Sequence, residues 1–374
     1  MPQCDMDANA ATAAVRRQWE IDALRGLMLV LMTLTHLPTR ISAPTSQPVG
    51  FVSAAEGFVL LSAFMAAKVY TARQRREGDE ALTQGFWQRA LKIWLVQAAL
   101  LVFLFTLIAL LGLLNDQPAV KDLLSFYLEH PRVAFVAGLM LLYNPPLLDI
   151  LPMYIVFMLA SPLVLLTGGR RGWAVILGLS ALLWLAAQRD VGTHLYEAAA
   201  HWARLPVPAR ETGAFELLGW QFLWVTGLWM GARAGRAEAV VPAFSRRVVA
   251  AAWAFALVAL VWRHAAGQVP FPDTGPAATA AGLRVAVNAA FDKWHLGPLR
   301  LLDLAALVVL VLHHGPALAA RMPRPRALEL LGRASLPVFA AHLLLVLLAL
   351  AFFGAAHDGR SWWVDTGLLA ASFA

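Results

Sequence analysis

Along the chain, long apolar runs alternate with short polar connections. Runs near span length lie at about 21–40, 51–72, 91–114, 150–167, 173–187, 215–232, 248–264, 298–314 and 334–354, and a tenth opens near Ser361 and stops at Ala374. A helix needs about 20 apolar residues, rising ~1.5 Å each, to cross a hydrocarbon core, so the pattern predicts about ten transmembrane helices with the last one truncated. The run 133–148, VAFVAGLMLLYNPPLL, is shorter, ends in Asn-Pro-Pro and reads as an interfacial or re-entrant helix. No stretch carries the alternation of an outer-membrane barrel, and no internal repeat stands out. The expected fold is all-α and polytopic. A single transmembrane domain is expected over 19–374, after a polar, Ala-rich, disordered tail over 1–18.

Composition sharpens this picture. Hydrophobic residues make up 60% of the 374 positions and charged residues 14%, which excludes an ordinary soluble enzyme. The net charge of +7 is spread between apolar segments rather than clustered, which argues for topogenic bias and against nucleic acid as a partner. Alternate connections hold 17 and 9 of the Lys and Arg residues, so the richer side is read as cytoplasmic, with the amino terminus inside. The opposite loops near 115–149, 188–214 and 265–297 are longer and carry Pro, Trp, His and Asp, as a surface facing a second substrate would. The single cysteine, Cys4, excludes an internal disulfide and a Cys-based metal cluster. The first 18 residues lack an apolar h-region, so the first run is expected to be a retained helix rather than a signal peptide.

The first run contains candidate chemistry. In RGLMLVLMTLTHLPTR, residues 25–40, an ordinary lipid-facing helix would hold no histidine. Eleven helical steps bring Arg25 and His36 to within roughly 20° of one face, about 16 Å apart along the axis. Asp22, one turn before Arg25, is spaced for an ion pair. His36 falls near the outer end, and Pro38 closes the helix. The second run travels back inward, so Glu56 in FVSAAEGFVLLSAF lies at similar depth, where a histidine and a carboxylate are able to meet. Ionisable groups inside a span cost about 2.5–3.5 kcal/mol each on insertion scales and usually face a cavity or one another. Plainer readings stand beside this one: His36 bonding a neighbouring helix, Arg25 as a snorkelling anchor, Glu56 as a helix cap. Matched faces and depths favour a site.

Several runs carry a resemblance. EIDALRGLMLVLMTLTHLP, with Arg25 followed by ten residues and His36, resembles the first-helix signature of the acyltransferase-3 superfamily. GRASLPVFAAHLLL, with Gly332, Ser335, Phe339 and His342, resembles its late Gly-x-x-Ser run. Together with GFVSAAEGFVLLSAF, LLDILPMYIVFMLASPL, WQFLWVTGLWMG and LGPLRLLDL, the order resembles the OpgC branch over nearly the whole chain. Ala63 and Ala67 depart from it, standing where glycine-type packing positions are expected.

The resemblance implies succinyl transfer to osmoregulated periplasmic glucans at a bacterial inner membrane. Acyl-CoA, succinyl-CoA by analogy, would enter from the cytoplasm as co-substrate with no permanently bound cofactor, and a periplasmic glucan would accept the acyl group. Membrane lipid and a glucan-synthesis machinery are the further partners expected. His36 would serve as general base, because an alcohol is a poor nucleophile until its proton is leaving, and Glu56 would fix its tautomer. Direct attack by His36 to give an acyl-imidazole stays open. Arg25, Asp22, Arg73, Arg76, Arg89, Ser335 and His342 are candidate donor-binding residues, and Asp149, Trp220, Gln221, Trp294, His295 and Arg300 are candidates for the acceptor. No spacing makes a metal site. Two other classes stay open: a transporter or channel for a sugar or proton-coupled solute using His36 and Glu56, and a non-catalytic scaffold of an export complex.

Overall fold

The computed structural model describes residues 18–236, 243–267, 270, 281–356 and 360–373; most of the expected 1–18 tail lies outside them. Each of the ten apolar runs is helical. With the longer helices numbered in chain order, these are α1 Trp19–His36, α2 Ala54–Glu77, α3 Asp79–Leu114, α4 Ile150–Arg171, α5 Trp173–Ala187, α6 Val191–Ala203, α7 Leu217–Gly235, α8 Arg246–Ala266, α9 Pro298–Arg321, α10 Arg326–Arg333, α11 Ser335–Phe353 and α12 Trp362–Phe373. The described residues contain no strand. Part of the 133–148 run is a nine-residue helix, Pro131–Leu139, followed by turns.

Helix and span are separate matters. By length and apolarity, six described helices are able to cross a membrane: α2, α3, α4, α8, α9 and α11. The broken pair α5 and α6, bent by 77°, raises the number to seven. The expected ten is therefore not reached on these grounds, and the reasons are local. α1 carries Glu20, Asp22 and Arg25 within 18 residues; α7 is diluted by four glycines and three tryptophans; α12 has 12 residues.

The core centres on α2, clasped by α7, α3 and α1. Small residues set how closely α7 approaches. A Cβ on Gly227 would lie 2.7 Å from the Leu60 carbonyl oxygen, and one on Gly231 only 2.2 Å from that of Phe64. Facing them, Ala63 and Ala67 are fully buried. The glycine-type positions expected on α2 are thus supplied by α7, and backbones touch as in small-xxx-small packing. α10 crosses the first half of α1 in the same way, where a Cβ on Gly332 would strike the Asp22 carbonyl oxygen at 1.7 Å.

α12 is tied to the end of α1. Arg360 donates to the carbonyl of Pro38 and pairs with Asp365 at 3.3 Å, while Asp365 also accepts from the backbone of Arg40 at 3.1 Å.

Candidate active site

The face shared by Arg25 and His36 is turned toward α11, which runs beside α1 in the same direction. Near the start of both helices Arg25 Nη2 donates to Ser335 Oγ at 2.5 Å, and Asp22 lies 3.8 Å from the same guanidinium, as its spacing predicts. At the last turn of α1 His36 Nδ1 is 3.2 Å from His342 Nε2, and the two rings stack at 5.4 Å with 20° between their planes. Phe339, one turn below His342, meets its ring edge-on at 4.8 Å and stacks on Phe58 of α2 at 6.3 Å.

Below this aromatic layer lies a cavity of about 200 Å³. Arg25, Arg89, Ser62, Tyr154 and Ser335 give it polar walls, and Phe58 and Phe339 are also part of its lining. The structure therefore gathers Arg25, Arg89 and Ser335 of the expected donor residues, with Asp22 buried behind Arg25. Arg73 and Arg76 are not in its lining: Arg73 pairs with Glu77 at 2.7 Å near the helix end, and Arg76 is exposed. His342, expected in the donor channel, instead partners His36.

Glu56 does not meet His36. Its Oε2 accepts from Ser53 N at 3.0 Å and Ser53 Oγ at 2.5 Å, closing a capping box at the start of α2, and its Oε1 accepts from Arg300 Nε. A position near one helix end does not fix azimuth: the first turn of α2 aims this carboxylate at α9. Arg300 is in turn 1% exposed, with Glu56 at 0%, so Arg300 is part of the scaffold rather than an acceptor surface.

Two further acceptor candidates are consumed in packing. Trp220 is fully enclosed and its indole donates to the Trp294 carbonyl at 3.0 Å. Gln221 exchanges hydrogen bonds with Ser180 of α5, accepting from its hydroxyl at 2.6 Å and donating to its carbonyl at 2.8 Å. Of the two candidate tryptophans only Trp294, 40% exposed, presents a ring to a ligand. Asp149, at the start of α4, accepts from Ala214 N at 3.1 Å, and burial pushes its carboxyl up to about 6. His295 is gripped by two carboxylates, Asp292 at 2.7 Å and Asp190 at 2.9 Å, and the hydrogen bond with Asp292 is the main cause that raises its pKa.

One residue escaped the sequence reading. Lys293 has its ammonium 4.6 Å from the Trp294 ring and 6.0 Å from that of Phe215, and interacts electrostatically with Glu56, Asp149 and His36. In the sequence it counts as one more loop cation; only its place in DKWH, beside two acceptor candidates, marks it out. No cluster of His, Cys, Asp or Glu among the described residues is arranged to hold a metal ion.

Six helices fit to cross a membrane, an arginine-lined cavity and a stacked histidine pair describe a membrane protein with a reaction-like site. No curated protein and no solved structure matches the chain. The family model described as OpgC protein matches residues 17–374, essentially the whole sequence, and the chain belongs to the OpgC family.

Proposed function

We propose that the protein is a multi-pass inner-membrane O-acyltransferase of the acyltransferase-3 type, moving a succinyl or similar acyl group from cytoplasmic acyl-CoA to a hydroxyl of a periplasmic glucan. Membership of the OpgC family supports a transferase, the donor and acceptor classes follow the resemblance to that family, and the base is read from the site. The carrying observation is the state of His36. Its Nδ1 is engaged by His342, its ring is partly exposed, and Nε2 has no protein partner among the described residues.

That arrangement favours one tautomer. The backbone of Phe339 acts on His342, whose Nδ1 is otherwise buried without a partner. A proton kept there, toward the Phe339 carbonyl, leaves His342 Nε2 as acceptor for His36 Nδ1–H. His36 Nε2 is then a lone pair, and His342 does for it what a carboxylate does in hydrolase triads.

The acceptor hydroxyl gives its proton to Nε2 as its oxygen attacks the thioester carbonyl. A tetrahedral oxyanion forms and collapses, the C–S bond breaks, and the thiolate of CoA recovers the proton from the imidazolium. Arg25 and Arg89 give the cavity below the positive charge that a phosphorylated donor requires. Glu56 has no part in the proton transfer.

The test is the charge of periplasmic glucans from cells carrying wild type or His36→Ala, together with consumption of succinyl-CoA by the purified protein with and without glucan. Anionic glucan from wild type alone, and glucan-dependent thioester loss, are expected. Anionic glucan from His36→Ala overturns the reading.

A further inference from the structure

Between the helix Ala281–Ala290 and α9 the chain makes a tight loop over residues 291–297. Its backbone is pinned from outside. The Trp294 carbonyl accepts from the Trp220 indole and from Glu216 N, both at 3.0 Å; that of His295 from Gln188 Nε2 at 2.8 Å; and that of Leu296 from the Trp184 indole at 2.8 Å. Gly219 makes room for this, since a Cβ there would come within 2.7 Å of the His295 carbonyl oxygen. Three successive carbonyls captured by α5, α7 and their caps hold Lys293 in one place.

The ammonium of Lys293 rests over the Trp294 and Phe215 rings and has no hydrogen-bond acceptor among the described residues. The carboxylates that act on it are otherwise committed: Glu56 to Ser53 and Arg300, and Asp149 to Ala214 N. Burial is the largest influence on Lys293 and lowers its pKa, while Glu56 and Asp149 act as nearby carboxylates, the latter pushed up to about 6, and Arg300 as a second nearby cation. An ammonium carries three donors, and on this half-buried lysine they are left for water or for an acceptor that arrives with the substrate. His36 is among its electrostatic neighbours, so that acceptor would belong to the reacting group.

We propose that Lys293 is an anion-binding group of the reaction site, meeting a negatively charged oxygen of the acyl group in transfer. The proposal rests on the acyl-transfer reading above. Two sources present such an oxygen: the terminal carboxylate of a dicarboxylic acyl chain, and the oxyanion of the tetrahedral adduct. The first makes Lys293 the residue that selects the donor, the second makes it part of the catalytic apparatus for every donor.

The experiment compares purified wild type, Lys293→Met and Lys293→Arg with succinyl-CoA and with butyryl-CoA, its four-carbon neutral counterpart, using glucan as acceptor. A fall of about tenfold or more in kcat/KM for Lys293→Met with succinyl-CoA alone assigns the carboxylate. A fall of about 100-fold in kcat with both donors, KM unmoved, assigns the oxyanion. Lys293→Arg recovers part of the loss in either case. A second readout needs no turnover: added succinate is expected to raise the melting temperature of wild type more than that of Lys293→Met, whereas butyrate affects both alike. Kinetics within about twofold of wild type for both donors, with equal succinate shifts, overturns the proposal. If wild type transfers neither acyl group, the acyl-transfer reading fails, and the succinate shift still decides whether Lys293 binds an anion.

Discussion

Replacing Glu56 separates scaffold from chemistry. Both members of the Glu56–Arg300 pair are enclosed, and at an effective dielectric near 20 opposite charges ~3 Å apart attract by about 5 kcal/mol. Desolvation cancels much of this in making the pair, but removing one member strands the other, at about 3–5 kcal/mol. Glu56→Gln keeps an oxygen for Ser53 N, because glutamine also serves a capping box, and so should lose only the ion-pair energy. Glu56→Ala loses the cap as well, a further ~1 kcal/mol. Glu56→Gln combined with Arg300→Met removes both charges and should recover most of the loss. Thermal unfolding in detergent is thus expected to rank wild type first, then the double variant, Glu56→Gln and Glu56→Ala. Acyl transfer per folded molecule should fall far less in Glu56→Gln than in His36→Ala. A Glu56→Gln protein that melts with wild type yet transfers nothing refutes the argument and returns this carboxylate to catalysis.

Other expectations follow from the same contacts. His36→Ala should lose at least ~10³-fold in kcat without a change in melting temperature, and His342→Ala a smaller factor of about 10–100, read from initial rates of thioester loss. Gly231→Leu drives a side chain against the Phe64 carbonyl and should abolish recovery of monodisperse protein in size-exclusion chromatography. The grip of Asp292 and Asp190 raises the pKa of His295 above its ordinary 6.5, so this link contributes fully below pH 6.5 and is lost as pH climbs through the raised value. Melting temperature against pH should accordingly decline over that window in wild type and be flatter in His295→Gln. Asp365→Asn strands the buried Arg360, so limited proteolysis should release the segment after α11 sooner than in wild type.

The sequence was most legible where helical periodicity alone decides. Ten apolar runs became ten helices, and the eleven-residue spacing put Arg25 and His36 on one face as expected. What that face meets was not legible. Periodicity orders residues along one helix but does not say which neighbour it faces, so Glu56 turned to Arg300, while His342, expected among the donor-binding residues, stands against His36. Two acceptor candidates were not legible for a related reason. Trp220 and Gln221 have the chemistry to hold a sugar, but the approach of α7 to α5 and to the 291–297 loop uses their polar atoms first. Lys293 could not be separated from topogenic charge, because its distinction is the lack of an acceptor, which is a property of the folded surroundings. The number of spans was blurred by charge and glycine within α1 and α7, which serve packing rather than insertion.

The contact between His36 and His342 joins positions 306 residues apart in the chain. At ribosomal rates of about 5–20 residues per second, roughly 15–60 s separate the synthesis of the first ring from that of the second. Throughout that interval the first ring stands without the second. The pair closes only once nearly the whole chain has been made, so this contact is a late event of biogenesis.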